Sequence, residues 1–348
     1  MKAIKFILLA LAIIFNSCSG DERETDKNQG VAIDIYICGH ERNSNGNYVA
    51  KYWKNGVATS LSDVTKNARA VDITVVGNDV YVAGTEFNDN GYGIAKYWKN
   101  GVATSITDGT SYVWVSAITV SGTDVYVAGY EYTDQSIGVA KYWKNGVAIP
   151  LSDGTKTAVA EDITISGNDV YVAGYEYNDQ GYFVAKYWKN GVATILTDGT
   201  SNSEVTSIDV VGNDVYVVGY QKNALGNNVA KYWKNGVATP ITDGTKIVSV
   251  SAITVADNAI YVAGYEGNDQ DLSIAKYWKN GVGVGALLSE GTKYSEAAAL
   301  AVAGNDVYIA GYEENTYRVA KYWKNGVPTV IGTGANHSEA TGIFITTK

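Results

Sequence analysis

His40 and His337 are the only imidazoles this chain can offer to acid–base or metal chemistry. A metal held on two imidazoles still needs carboxylate help, and Glu41 and Glu339 stand nearest in sequence; otherwise both rings are solvated loop residues. No Gly-x-Ser-x-Gly elbow, phosphate-cradling loop or dinucleotide fingerprint is present. Glycoside hydrolysis would need two carboxylates held about 5 to 9 Å apart, and the 36 acidic residues single out no pair. The Asn- and Asp-rich stretches lack the regular oxygen spacing of a calcium cage. From these residues no metal, no cofactor and no enzymatic activity is expected. What remains is flat rings. Trp114 is the one tryptophan outside a repeated motif, and with Tyr112, two residues before it, it is expected in the loop that joins one repeat to the next. Tyr132, Tyr177, Tyr182 and Tyr294, with Tyr92 and Tyr317, lie among Asn and Asp. Rings beside amides and carboxylates suit sugars, which present a C–H face and hydroxyl edges. Trp114, Tyr112, Tyr132, Tyr177, Tyr182 and Tyr294 are therefore the candidate ligand-binding residues. Covering hairpin tips and packing seams is the other service such rings could give.

These residues are set into a repeat. Ala-Lys-Tyr-Trp-Lys-Asn-Gly-Val occurs seven times, its first lysines being Lys51, Lys96, Lys141, Lys186, Lys231, Lys276 and Lys321, each 45 residues after the last. That period is the length of one four-stranded propeller blade, and seven blades close comfortably into a disc. Within one copy, Asp162–Ile165, Val170–Tyr175, Phe183–Trp188 and Val192–Leu196 read as strands a, b, c and d. Asn190-Gly191 between c and d is a strong hairpin signal, because a two-residue type I′ turn needs positive φ twice. Strands b and c are apolar or aromatic on both sides of the pleat, as blades stacked on both faces require. The seven repeated Trp residues most simply serve as identical wedges between blades. Pro150, Pro240 and Pro328 fall in strand d, and proline is confined to sheet edges or strand starts. Strand d is thus the outer rim and strand a lines the axis.

The ends complete one another. Ala32–Gly39 matches a strand b without its strand a, and Ser338–Thr346 matches a strand a without its strand b. The expected fold is all-β: a seven-bladed β-propeller of four antiparallel strands per blade, closed by the C-terminal strand completing the first blade. An open array of the same units is the alternative. Turns a→b and c→d are short and nearly invariant, whereas loops b→c and d→a vary and share the opposite face. Seven equal positions make no asymmetric pocket, so the variable face is where function is expected. Six copies end strand b with Glu and one with Gln221, each a hairpin away from a motif lysine. Such pairs, if exposed, are worth under about 1 kcal/mol.

Three regions follow: residues 1–17 as a signal peptide, 18–30 as a flexible tether, and 31–348 as the propeller. Lys2 and Lys5 precede the apolar run Phe6–Phe15, which is too short to span a bilayer as a helix. Phe15-Asn16-Ser17-Cys18 resembles the lipobox of bacterial lipoproteins, with Phe where Leu is usual. The resemblance implies lipidation of Cys18. Ser19-Gly20-Asp21-Glu22 resembles the acidic tag of surface lipoproteins of the Bacteroidetes type, which implies an outer-membrane, surface-exposed address. Ordinary signal cleavage and release is the alternative. Cys38, the other cysteine, sits where six copies hold Ala or Val, so a small buried thiol is expected. The formal charge of −9 becomes −11 without residues 1–17, leaving 25 basic against 36 acidic groups. That balance disfavours nucleic acid and anionic lipid as partners; membrane contact is expected through the anchor alone. The blades loosely resemble Kelch blades in Val-Tyr-Val-Ala-Gly but lack their paired glycines. Tyr-Trp-Lys-Asn-Gly repeats are similar to those in a set of bacterial lipoproteins of unassigned activity. The expected role is a lipid-anchored scaffold binding a glycan or protein through the variable face. The alternatives are a secreted polysaccharide-acting enzyme and a structural accessory of an outer-membrane complex.

Overall fold

The computed structural model describes residues 32–284 and 288–348. The signal peptide, Cys18 and the tether lie outside those residues. Seven four-stranded antiparallel sheets are arranged as blades I–VII around one axis. From axis to rim, blade I runs Ser338–Thr347, Ile33–Arg42, Tyr48–Lys54 and Val57–Ser60. The innermost strands of blades II–VII are Ala68–Val76, Val113–Ser121, Ala158–Ser166, Ser203–Val211, Val248–Ala256 and Ser295–Ala303. Each touches the inner strand on either side, and Ser338–Thr347 packs against both Ala68–Val76 and Ser295–Ala303. The ring is closed, with the last strand hydrogen-bonded to the first.

The wedge reading of the tryptophans holds. All seven motif Trp side chains are at most 2% exposed. Trp98 of blade II packs on Tyr36, Cys38 and Ala50 of blade I, and Trp188 of blade IV on Tyr126, Ala128 and Tyr142 of blade III. A buried Trp removes on the order of 200 Å² from water, so each seam gains several kcal/mol from its wedge. Cys38 is fully buried, and desolvation raises its thiol pKa.

On the invariant face, the turn asparagine ties two hairpins together. Asn100 and Gly101 take φ of 51° and 84°. Asn100 Oδ1 accepts the Val80 N–H (2.8 Å), its Nδ2 donates to Asp79 (2.7 Å), and Lys99 pairs with the same carboxylate. This explains why Gly-Asn-Asp and Lys-Asn-Gly recur together.

Strand a is longer than the sequence pattern suggests. In blade IV it spans Ala158–Ser166 rather than starting at Asp162, because the ladder continues past a bulge at Glu161. Every blade has this bulge, which skips Val71, Ser116, Glu161, Thr206, Ser251, Ala298 and Thr341. A bulge redirects its extra side chain, and five of the seven line the axial channel. It also presses a carbonyl toward strand b. A β-carbon at Gly219 would stand 2.0 Å from the Glu204 carbonyl oxygen, so the Gly of Val-Tyr-Val-Ala-Gly and its copies is required for close approach.

Candidate ligand-binding face

At each blade seam, on the variable face, the b→c loops of two neighbours flank the d→a loop between them. The loops are braced: Asn88 Oδ1 accepts the N–H groups of Asn90 and Tyr92, and its Nδ2 donates to the Gly109 carbonyl across the seam. The recess between blades II and III, about 430 Å³, is lined by Tyr92, Tyr112, Trp114 and Tyr132 with Thr110, Thr133 and Asp134. The Tyr92 and Tyr112 rings meet at a tilt of 56°, with centroids 4.8 Å apart. The neighbouring recess between blades I and II, about 620 Å³, shares Trp114 as a wall and adds Tyr48, Phe87, Arg42, Lys66 and Arg69.

Trp114 is not in the d→a loop where the sequence reading put it. It is the second residue of strand Val113–Ser121 and pairs with Tyr130, because that ladder runs on beyond the bulge. Its ring touches Phe87 edge-on at 6.3 Å and is 41% exposed, while the other seven tryptophans are sealed. Three of the six candidate residues, Trp114, Tyr112 and Tyr132, thus share one recess. The other three lie elsewhere. Tyr177 packs at 4.2 Å on Phe183 in blade IV, with Tyr182 exposed next to Phe183 in sequence, and Tyr294 is exposed just before the inner strand of blade VII.

The axial channel, about 400 Å³, opens beside Trp114 and is lined by Ser116, Tyr130, Glu161, Thr206 and Ser251 among others. Glu161 keeps some surface open to the channel, yet protein surrounds it. Burial chiefly, then the charges of Glu204 and Asp162, pushes its carboxyl up to about 7. Below the bulge, Asp72 and Asp162 knit inner strands together: Asp72 Oδ2 accepts the Ile118 N–H and Asp162 Oδ2 the Ile208 N–H, at 2.8 and 2.9 Å. Burial raises these carboxyls to about 7 and about 6. Sequence reasoning missed Glu161, Arg42 and Arg69. For Glu161 the available signal was a carboxylate where six copies hold Val, Ser, Thr or Ala.

The two histidines do meet. His40 and His337 lie 3.6 and 3.8 Å from opposite oxygens of Glu339, with Tyr48 edge-on to both. Burial lowers His40 to about 4 and also lowers His337, so both are neutral at pH 7. Glu41 does not join them; it takes Lys51 and the Thr333 hydroxyl instead. Among the described residues no three His, Cys, Asp or Glu side chains gather closely enough to hold a metal ion. The repeated Glu–Lys pairs are more enclosed than the sequence reading assumed. Lys96 and Glu86, 2.7 Å apart, are 13% and 11% exposed, and Gln221 accepts from Lys231 in the one exception.

No protein-family model matches the chain, and no curated protein does. Solved structures match it in fold. A puromycin-hydrolysing peptidase of Mycobacterium tuberculosis superposes with a TM-score of 0.54 at 11% identity over 86% of this chain, which spans 52% of the peptidase. The β-propeller domain of the trilobed protease from Pyrococcus furiosus gives 0.53 at 10% identity, over 87% of this chain and 95% of that domain. That domain has an open velcro topology, whereas here the closing strand is paired. Trypanosoma rangeli sialidase gives 0.45 at 10% identity over 89% of this chain and 57% of the sialidase. Such identities show the fold alone. They nonetheless correct the expectation that the chain is not an enzyme. The solved structures that share its fold include a peptidase, of which it spans 52%, and a domain of a protease, so the lack of a recognisable short motif does not exclude catalysis.

Proposed function

We propose that this propeller is a lipid-anchored protein of the bacterial outer-membrane surface that binds a glycan across Trp114. The observation that carries the proposal is the recess of Trp114, Tyr92, Tyr112 and Tyr132, edged by Thr110, Thr133 and Asp134. An open indole among hydroxyls and a carboxylate matches the C–H faces and hydroxyl edges of sugars. Orientation fits the anchor. Strand Ile33–Arg42 begins at the invariant face, where Asn55 and Lys348 hold Asp34. A tether from Cys18 would join the propeller on the invariant face, opposite the proposed site. Binding of neutral and acidic polysaccharides by wild type and W114A tests the reading: equal binding by both removes the site. Mass spectrometry at Cys18 tests the anchor, which an unmodified thiol would refute.

Glu161 supports a second reading, hydrolysis of the bound polysaccharide. A carboxyl that holds its proton to about pH 7 is suited to protonating a leaving oxygen, and it lines a channel that Trp114 also lines. Reducing-end release lost in E161Q but retained binding would support this reading; no release from any bound polymer would end it.

A further inference from the structure

We infer that the recess between blades I and II takes the acidic group of an anionic glycan, a uronate or sulfated sugar, whose neighbouring unit lies on Trp114. The inference rests on the glycan reading above and specifies its ligand. Arg42, Arg69 and Arg318 are the only arginines of the described body, and they sit in blades I, II and VII, which adjoin across the closure. Arg318 is committed to Glu339 at 2.6 Å. Arg42 and Arg69 are exposed, and among the described residues neither has a carboxylate within ion-pair distance. Both guanidinium groups lie over the Tyr48 ring, at 6.0 and 4.7 Å, and Arg42 Nε donates to the Gly46 carbonyl, which holds its fork in place. Lys66 adds a third cation; its nearest carboxylate, Glu86 at 3.9 Å, is already held by Lys96 at 2.7 Å. Asp89 on the rim is the single acidic lining residue.

The repeat supplies an internal control. The equivalent recess between blades V and VI has Asn228 for Tyr48 and Gly267 for Phe87, and its Lys246 is neutralised by Asp269 at 3.1 Å. At the position of Arg69 the other blades hold Trp114, Val159, Glu204, Ser249, Glu296 and Glu339. A chain of net charge −9 repels anions at long range. Unpaired arginines beside aromatic walls mark one place where a planar or tetrahedral anion gains charge-assisted hydrogen bonds.

The test is affinity electrophoresis of the purified chain through polygalacturonate, dextran sulfate and neutral dextran, at low and high salt, with R42Q, R69Q, W114A and K246Q. Each variant is first checked for wild-type melting. Retardation by at least one acidic polymer is expected, weakened tenfold or more by R42Q and by R69Q and reduced by salt, with K246Q unchanged. Which polymer retards tells carboxylate from sulfate. Acidic binding kept within twofold in both arginine variants, or weakened equally by K246Q, overturns the inference. Retardation by neutral dextran alone, lost in W114A, sinks this inference and leaves the glycan reading standing. Retardation by none of the three sinks both.

Discussion

Gly219→Ala is expected to be among the most damaging single methyl additions in this protein. The added carbon would stand 2.0 Å from the Glu204 carbonyl oxygen and 2.6 Å from the Val205 α-carbon, both backbone atoms. Relief requires strand Ser203–Val211 to retreat by more than an ångström, which also displaces the bulge at Thr206 from the axial channel. Overpacking a well-packed site costs about 1–3 kcal/mol, and each ladder hydrogen bond stretched on retreat adds about 1 kcal/mol. A loss of roughly 3–5 kcal/mol follows. Gly236→Ala in the same blade is the control. That residue has φ of 82° and open space around its missing β-carbon, so only the left-handed backbone is penalised, by about 1–2 kcal/mol. Guanidinium unfolding followed by tryptophan fluorescence measures both. Gly219→Ala falling within 1 kcal/mol of wild type, or costing less than Gly236→Ala, would refute the claim that the bulge forces glycine into strand b.

Removing Ser338–Lys348 strips blade I of its inner strand and should replace one sharp melt by a broad one at lower temperature; a melt as sharp and as hot as wild type contradicts closure. Glu161 gives a pH signature. Its carboxyl is raised from 4.5 to about 7, so its contribution is full below pH 4.5 and is lost as pH rises through 7. E161Q should therefore gain on wild type by up to roughly 3 kcal/mol between pH 4.5 and 8. His40, lowered by burial, acts in the opposite sense in both proteins and cancels in the difference. A stability gap that stays flat with pH contradicts the buried assignment. Lys96→Met should destabilise by more than the sub-kilocalorie cost of an exposed pair, because it leaves the enclosed Glu86 carboxylate with only the distant Lys66 ammonium, 3.9 Å away; chemical denaturation decides.

The blade, its strand order and the closure were legible because each is written seven times, at a spacing that turn chemistry and proline placement then interpret. Pro150 and Pro240 put strand d outside, and the unmatched ends at Ala32 and Ser338 called for one another. The bulge left no such mark. A two-residue pattern cannot show an extra residue, so the sequence shows only the part of strand a beyond the bulge and leaves Trp114 in a loop, whereas Trp114 continues the ladder. The arginine pair was hidden for another reason. Arg42 pairs with Tyr48 inside one hairpin, but Arg69 lies 27 residues after Arg42 on the inner strand of the next blade, and only the packing of the two blades brings it over the same ring. Enclosure of the Glu–Lys pairs likewise depends on the neighbouring blade.

Tryptophan fluorescence during polysaccharide titration tests the central claim most directly, because Trp114 is the only one of the eight tryptophans with an open ring. A bound sugar should shift and enhance the emission of the wild type, shield it from iodide, and do neither in W114A. A ligand that binds W114A as tightly as wild type, leaving the wild-type emission unchanged, would place recognition somewhere other than this face.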